Sequence, residues 1–348
     1  MQSTSLRPHV VTLGTAGGPR WWTGENAGKR AGIATAVVVG EAVYLVDAGT
    51  GVGNQLMKAG YSTADLRGIF LTHLHSDHTI DLASLAIFGL FTIVPGQKPV
   101  HIIGPGDRGA LPPASPRATT PPTPLFAHNP TPGTVDMFDH LMQAYATDLN
   151  DRVIDALRPS PLDHFIASDI QIPAGTGYHP NENPTPADFA PFEIYRDELV
   201  TVTATLVKHP PIAPAFAFRF DTAEGSVTIS GDTAPCENLV ELARGTELLL
   251  HEAIDFDWVQ EKFGNVGTAD AQASMDHHRS SHTSATQAIE MAERAGVATL
   301  ALHHLVPGTT PISTWLSHGA GFSGTYLVPD DLDVISFART HIETTVAP

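Results

Sequence analysis

Four side chains able to bind a metal ion fall within six residues in the run Thr72-His73-Leu74-His75-Ser76-Asp77-His78. The apolar residues Ile69-Phe70-Leu71 just before them read as a buried strand, and in extended chain alternate side chains point the same way. His73 and His75 can therefore converge on one ion, while Asp77 and His78, beyond a change of direction at Ser76, can face a second. A catalytic zinc takes about three nitrogen or oxygen donors from the protein and leaves one position for water. Four donors exceed the need of one such site. An isolated histidine is more often a surface or satisfied core residue than a ligand, and the clustering is what changes the reading. The single cysteine, Cys236, leaves imidazole and carboxylate as the donors and reads as a small core residue.

These side chains need a scaffold. Strand-like runs occur at 9–15, 34–39, 42–46, 68–72, 100–104, 199–207, 215–220, 226–230, 247–250, 298–302 and 332–337, with Gly40-Glu41 joining two of them as a hairpin. The clearest helical pattern spans 282–295, where Ala285, Ala288, Ile289 and Ala292 share a face and Gly296 supplies the stop. Hairpins mixed with β-α alternation predict an α/β domain of layered sheets flanked by helices. One domain over 1–348 is expected, with 105–198 as an insertion: prolines crowd between Pro112 and Pro132 and again between Pro173 and Pro191. Its middle reads as a helix capped at Thr134, with Phe138, Leu141, Met142, Tyr145 and Leu149 at helical spacing, packed on the domain, serving as a lid or forming a dimer contact. His277, His278 and Arg279 read as a solvated polar loop. Trp21 and Trp22 read as buried aromatics, with an aromatic pocket as the other reading.

The 348 residues carry a formal net charge of -18, with 18 histidines. An acidic surface repels polyanions, so nucleic acid is an unlooked-for partner unless Lys and Arg cluster locally. No segment is apolar for long enough to span a bilayer, and the start, Met1 to Arg7, lacks the apolar stretch of a signal peptide. A cytoplasmic protein is the expectation.

The motif His-x-His-x-Asp-His directly after an apolar strand resembles the signature of the metallo-β-lactamase superfamily. That resemblance implies an αββα four-layer sandwich with metals at one edge between the sheets, interrupted here by the proline-rich, partly helical insertion. Its further stations occur in order. His209, following the alternating run 199–208, matches the third histidine of the first metal; Asp232, ending Ser226 to Gly231, matches the bridging carboxylate; and His304, in Leu300-Ala301-Leu302-His303-His304, matches the last ligand. Adjacent strand residues face opposite ways, so one of His303 and His304 coordinates, and His304 is favoured. The implied set is His73, His75 and His209 on one ion, Asp77, His78 and His304 on the other, and Asp232 between them. Two zinc ions per chain are expected, with manganese or iron also compatible.

Leu13-Gly14-Thr15-Ala16-Gly17-Gly18-Pro19, Val46-Asp47-Ala48-Gly49, Gly231-Asp232-Thr233-Ala234-Pro235-Cys236, His251-Glu252-Ala253 and His282-Thr283-Ser284-Ala285 resemble the ribonuclease Z family and its relatives, the metallo-β-lactamase-type arylsulfatases and phosphodiesterases. The likeness implies a homodimer. It implies catalysis by a hydroxide shared by the two ions, with Asp77 in the catalytic set and His282 giving a proton to the leaving group. Alternatively His282 caps the following helix. Asp47, His251 and Glu252 are expected to orient ligands from behind; no substrate-binding residue is assigned. The long arm that tRNA processors insert after the third histidine is missing, and Val306-Pro307-Gly308-Thr309 replaces their tail. The expected substrate is thus a small phosphodiester or sulfate ester. A tRNA 3′ endonuclease, a lactonase, and a mononuclear iron oxygenase or non-catalytic metal binder are the alternatives.

Overall fold

The computed structural model describes residues 7–94, 96–120 and 122–339; residues 1–6 of the start read above lie outside them. The strands of the first sheet are β1 (His9–Gly14), β2 (Ala34–Val39), β3 (Ala42–Val46), β4 (Leu66–Phe70), β5 (Val100–Pro105) and β6 (Phe165–Ile170). The second holds β7 (Phe192–Arg196), β8 (Thr201–Leu206), β9 (Phe216–Asp221), β10 (Ser226–Ile229), β11 (Leu248–Ile254), β12 (Thr299–Val306) and β13 (Thr325–Leu327), while β14 (Val334–Ser336) returns to the first. Among the described residues the orders are β14-β1-β2-β3-β4-β5-β6 and β13-β12-β11-β10-β9-β8-β7. Each sheet is antiparallel through its hairpins and parallel where a helical crossover intervenes: β3 to β6 in one, β10 to β13 in the other.

Strand alternation places two apolar faces on each sheet. In the first, Val10, Val37, Tyr44 and Phe70 point to the second sheet and meet Val202, Phe216, Phe218 and Phe220. Val11, Leu13, Val38 and Ile69 point the other way, onto the helices Val52–Lys58, Leu82–Gly89 and Thr134–Ala144. The outer face of the second sheet is covered by Glu237–Ala243 and Ala285–Ala295. Helix, sheet, sheet, helix is the αββα sandwich that the sequence led one to expect.

The helix read over 282–295 begins at Ala285, because Ser284 caps it in a reciprocal box with Gln287. Gly296, at φ +66°, closes it in the left-handed conformation glycine tolerates. His282 lies in extended backbone before the cap and does not cap the helix itself. The helix expected from Thr134 is two, Thr134–Ala144 and Ala146–Ile154, broken at Tyr145; Gly133 precedes the first, and the Thr134 hydroxyl donates to Pro105 O at 2.9 Å.

The 105–198 segment is less separate than its proline content suggests. It supplies β6 to the edge of one sheet and β7 to the edge of the other, and Phe138, Met142 and Leu149 bury into the outer layer of the first. Arg108, 9 % exposed, ties its start to the loop after His209: its guanidinium donates to Pro211 O at 2.6 Å, Ala213 O at 3.3 Å and Asn181 Oδ1 at 2.5 Å.

Candidate metal centre

The donors gather where strands of both sheets end. Beyond β4 the chain pairs once more with β5, through Leu71 N and Ile103 O, and then delivers Thr72 and His73 into the gap between the sheets. A short turn of helix, Ser76–Thr79, reverses the chain and turns Asp77 and His78 back toward it. His209 follows β8, Asp232 follows β10, and His304 lies in β12 at φ +47°, a strained value for a non-glycine residue. That kink lets neighbours in one strand part company. The His303 ring reaches Thr35 at 3.4 Å, whereas His304 faces His78.

Two separate donor groups result, and His282 lies close enough to His209 and Asp232 to form a third that overlaps them. In the first, His75 Nδ1 lies 3.0 Å from His73 Nε2 and 3.2 Å from His209 Nε2. In the second, His304 Nε2 lies 3.2 Å from His78 Nε2, 3.4 Å from Asp77 Oδ2 and 3.2 Å from Asp232 Oδ1. The other oxygen of Asp232 turns to the first group, 4.0 Å from His73 Nε2 and 3.9 Å from His209 Nε2. Tetrahedral zinc with nitrogen ligands at about 2.0–2.1 Å would place those nitrogens about 3.3 Å apart. The spacing and chemistry of both groups fit divalent cations. Asp232 Oδ1 and His304 Nδ1 are also buried with no hydrogen-bond partner among the described residues.

Protonation follows the same division. Burial, joined by the neighbouring His78, His209 and His75, drives the His73 imidazole well below the ordinary histidine range. Burial likewise pushes His209 far down. Burial opposes charge on His78 as well, yet Asp232, Asp47 and Asp77 outweigh it and hold that imidazole well above its usual value. An acidic pocket that must otherwise hold a proton is suited to a cation.

The family model described as "Metallo-beta-lactamase superfamily" matches residues 28–304. The chain belongs to that superfamily. It is 30% identical over 287 residues to ribonuclease Z of Mycobacterium sp. (strain KMS), covering 81% of each chain. Among solved structures, the short form of human tRNase Z superposes with a TM-score of 0.60 at 19% identity, covering 95% of this chain and 100% of that one. The metallo-beta-lactamase fold protein YhfI from Bacillus subtilis gives 0.59 at 18% identity, covering 94% and 98%.

Around the superfamily's donor positions stand the residues that aim them. Asp47, at φ +63° after β3, accepts from Thr72 N at 2.8 Å and from His78 Nδ1 at 2.8 Å, which turns His78 Nε2 inward. His209 Nδ1 donates to Ser281 O at 2.9 Å with the same result. Glu252, fully buried, accepts from Thr233 N at 3.0 Å and from His282 Nδ1 at 3.0 Å. Burial disfavours a charged His282, but Glu252 and Asp232 outweigh it and raise the imidazole to about 9. Among the described residues His251, expected beside them, hydrogen bonds the Glu252 carbonyl at 2.7 Å, and its Nε2 is buried without a hydrogen-bond partner.

The sequence left the part played by several site residues unread. Gly17 lies in a run noted only for its family likeness: a Cβ there would lie 2.3 Å from the His304 ring, so the glycine turn admits an imidazole. Its neighbour Gly18 donates through N to Asp77 Oδ2 at 2.9 Å. The loop expected at 277–279 is the end of the Ala269–Ser281 helix, whose polar composition left only Ala271 and Met275 as buried apolar markers. Trp21, expected to be buried, is 93 % exposed and borders a cavity of about 390 Å³ that opens on Asp77, with Arg20, Trp22 and Arg30 also in its wall. Trp22 stands edge-on to Trp258 with centroids 5.6 Å apart, and Arg20 lies over both rings.

Proposed function

We propose that this metallo-hydrolase cleaves a small phosphodiester or sulfate ester, using two zinc ions. The observation that carries the reading is the short path from His209 to Asp232: one loop, β9, the turn 222–225 closed by Thr222 N to Gly225 O at 2.9 Å, and β10. That path leaves no arm with which to grip a polymer. The cavity beside Asp77 has the size of a small-molecule site, and Arg20 and Arg30 in its wall suit an anionic ester.

In this reading His73, His75 and His209 would hold one ion and Asp77, His78 and His304 the other, with Asp232 a donor available to either. When bound, such ions lower the pKa of water and stabilise the attacking and leaving oxygens of an in-line displacement. The protein's own part is placement and proton transfer. Asp77, anchored by Gly18 N, stands between the cavity and the donors. His282 has Nδ1 committed to Glu252, so Nε2 is the nitrogen that gives a proton to the leaving oxygen. Glu252 orients that imidazole while also accepting from Thr233 N at 3.0 Å.

A second reading, an RNA-cleaving enzyme, is favoured by the 30% identity to ribonuclease Z over most of both chains, and net charge alone does not exclude it. A hydrolysis panel separates the two: zinc-loaded protein is offered an aryl phosphodiester, an aryl sulfate, a lactone and a precursor tRNA. Turnover of an aryl diester or sulfate is expected; cleavage of the tRNA alone would replace the first reading with the second. The same proposal takes the enzyme as a cytoplasmic homodimer, and sedimentation tests the dimer.

A further inference from the structure

His277 belongs to neither donor group, yet its ring centroid lies 5.9 Å from that of His282, 6.0 Å from His209 and 6.5 Å from His75. It is half-buried where His209 and His282 are buried, which puts it at the rim of the first group. The end of its helix is fastened on two sides. His209 Nδ1 donates to Ser281 O, and Asp276 pairs with Arg117 of the proline-rich segment at 2.7 Å. These ties fix the backbone from which the His277 ring projects.

Its hydrogen bonds assign the tautomer. The Ser281 hydroxyl donates to Pro210 O, which can only accept, so toward its other neighbours, Ser280 Oγ at 3.3 Å and His277 Nδ1 at 3.3 Å, Ser281 Oγ can only accept. The proton therefore sits on Nδ1. Nε2 keeps its lone pair and makes no hydrogen bond among the described residues. A lone pair repels the oxygens of an anionic ester and attracts a donor. Nothing in either donor group explains why an acceptor should be built here.

We propose that His277 binds the substrate by accepting, through Nε2, a hydrogen bond from a hydroxyl that the ester carries. This rests on the small-ester reading and narrows it to a hydroxylated one. His277 is a specificity-determining residue and not a metal ligand.

The test compares two product-like anions that differ only in hydroxyls, glycerol 3-phosphate and propyl phosphate, binding to zinc-loaded protein in a calorimeter. A net hydrogen bond of about 1 kcal/mol or a little more gives the wild type a preference of roughly five- to tenfold for glycerol 3-phosphate. His277→Phe should erase that preference while leaving propyl phosphate affinity and zinc content unchanged, and His277→Gln, which keeps an acceptor, should restore part of it. No preference in the wild type, an equal preference in the Phe variant, or loss of a zinc ion from that variant would each overturn the proposal. If the preference vanishes as expected in the Phe variant but the hydrolysis panel shows cleavage of the tRNA alone, the small-ester reading falls and the binding role of His277 stands.

Discussion

The two donor groups share Asp232, which turns one oxygen to each, but are built on different principles. In the first, three imidazoles converge, and those of His73 and His209 are aimed by neutral acceptors, the Thr72 hydroxyl and the Ser281 carbonyl. In the second, Asp77 and Asp232 stand among the donors themselves, and a third carboxylate, Asp47, backs His78. Charge is concentrated on one side of a pair that symmetry might have balanced. The difference teaches that the second group should hold its cation more tightly, and that the first should be the one to empty under a chelator.

Asp232→Ala attacks what the groups have in common and should have the largest effect, with activity below detection and both metals lost in elemental analysis. His282→Gln leaves both groups standing. It should lower kcat about 10²- to 10⁴-fold with zinc content unchanged, and less for an ester whose leaving group needs no proton; a uniform loss across leaving groups would deny it the role of acid. Asp47→Asn addresses the contrast itself and should weaken the second ion about 10- to 100-fold and the first, which Asp47 reaches only through the Thr72 hydroxyl at 2.9 Å, by less. Equal weakening of both ions in a metal titration would erase the distinction between the groups.

The smallest effect is expected away from the donors, at Asp197, and serves as the control. This carboxylate accepts from Tyr44 Oη at 2.7 Å, Tyr195 Oη at 3.0 Å, Leu199 N at 2.8 Å and Val200 N at 3.0 Å. Burial pushes its pKa up, but these bonds prevail and hold it below the ordinary carboxylate value. A depressed folded pKa stabilises the fold above the unfolded value, about 3.9, and that contribution is lost as pH falls through the folded one. Asp197→Asn should therefore lower Tm modestly at pH 7, by a margin that narrows below about pH 4, with metal content untouched.

Much of this architecture was legible because burial leaves a periodic mark. The strands Ala34–Val39 and Ala42–Val46 have the bounds their alternation implied, and Ser284 and Gly296 punctuate a helix with recognisable chemistry. The donors were legible for a different reason: His73 to His78 are local in sequence, and the strand-end positions of His209, Asp232 and His304 follow a known pattern. What escaped is what lacks such a mark. β6 and β7 are edge strands whose side chains are largely part-exposed, so they show little alternation. Gly17 and Arg108 owe their places to contacts with residues about 290 and 70–105 positions away, which no local window contains.

Those two edge strands carry a consequence for solubility. Each hydrogen bonds along a strand that would otherwise end its sheet, β6 along β5 and β7 along β8. Excising 105–198 would therefore not yield a smaller enzyme. It would bare two rows of unpaired amides and carbonyls, flanked by Val100, Ile102, Val202 and Leu206, which would be ready templates for a neighbouring molecule. β6 and β7 carry charges at those edges instead, Asp169 on one and Glu193 and Arg196 on the other, which blunt further pairing, so the region that looks most dispensable helps keep one molecule from adding to the next.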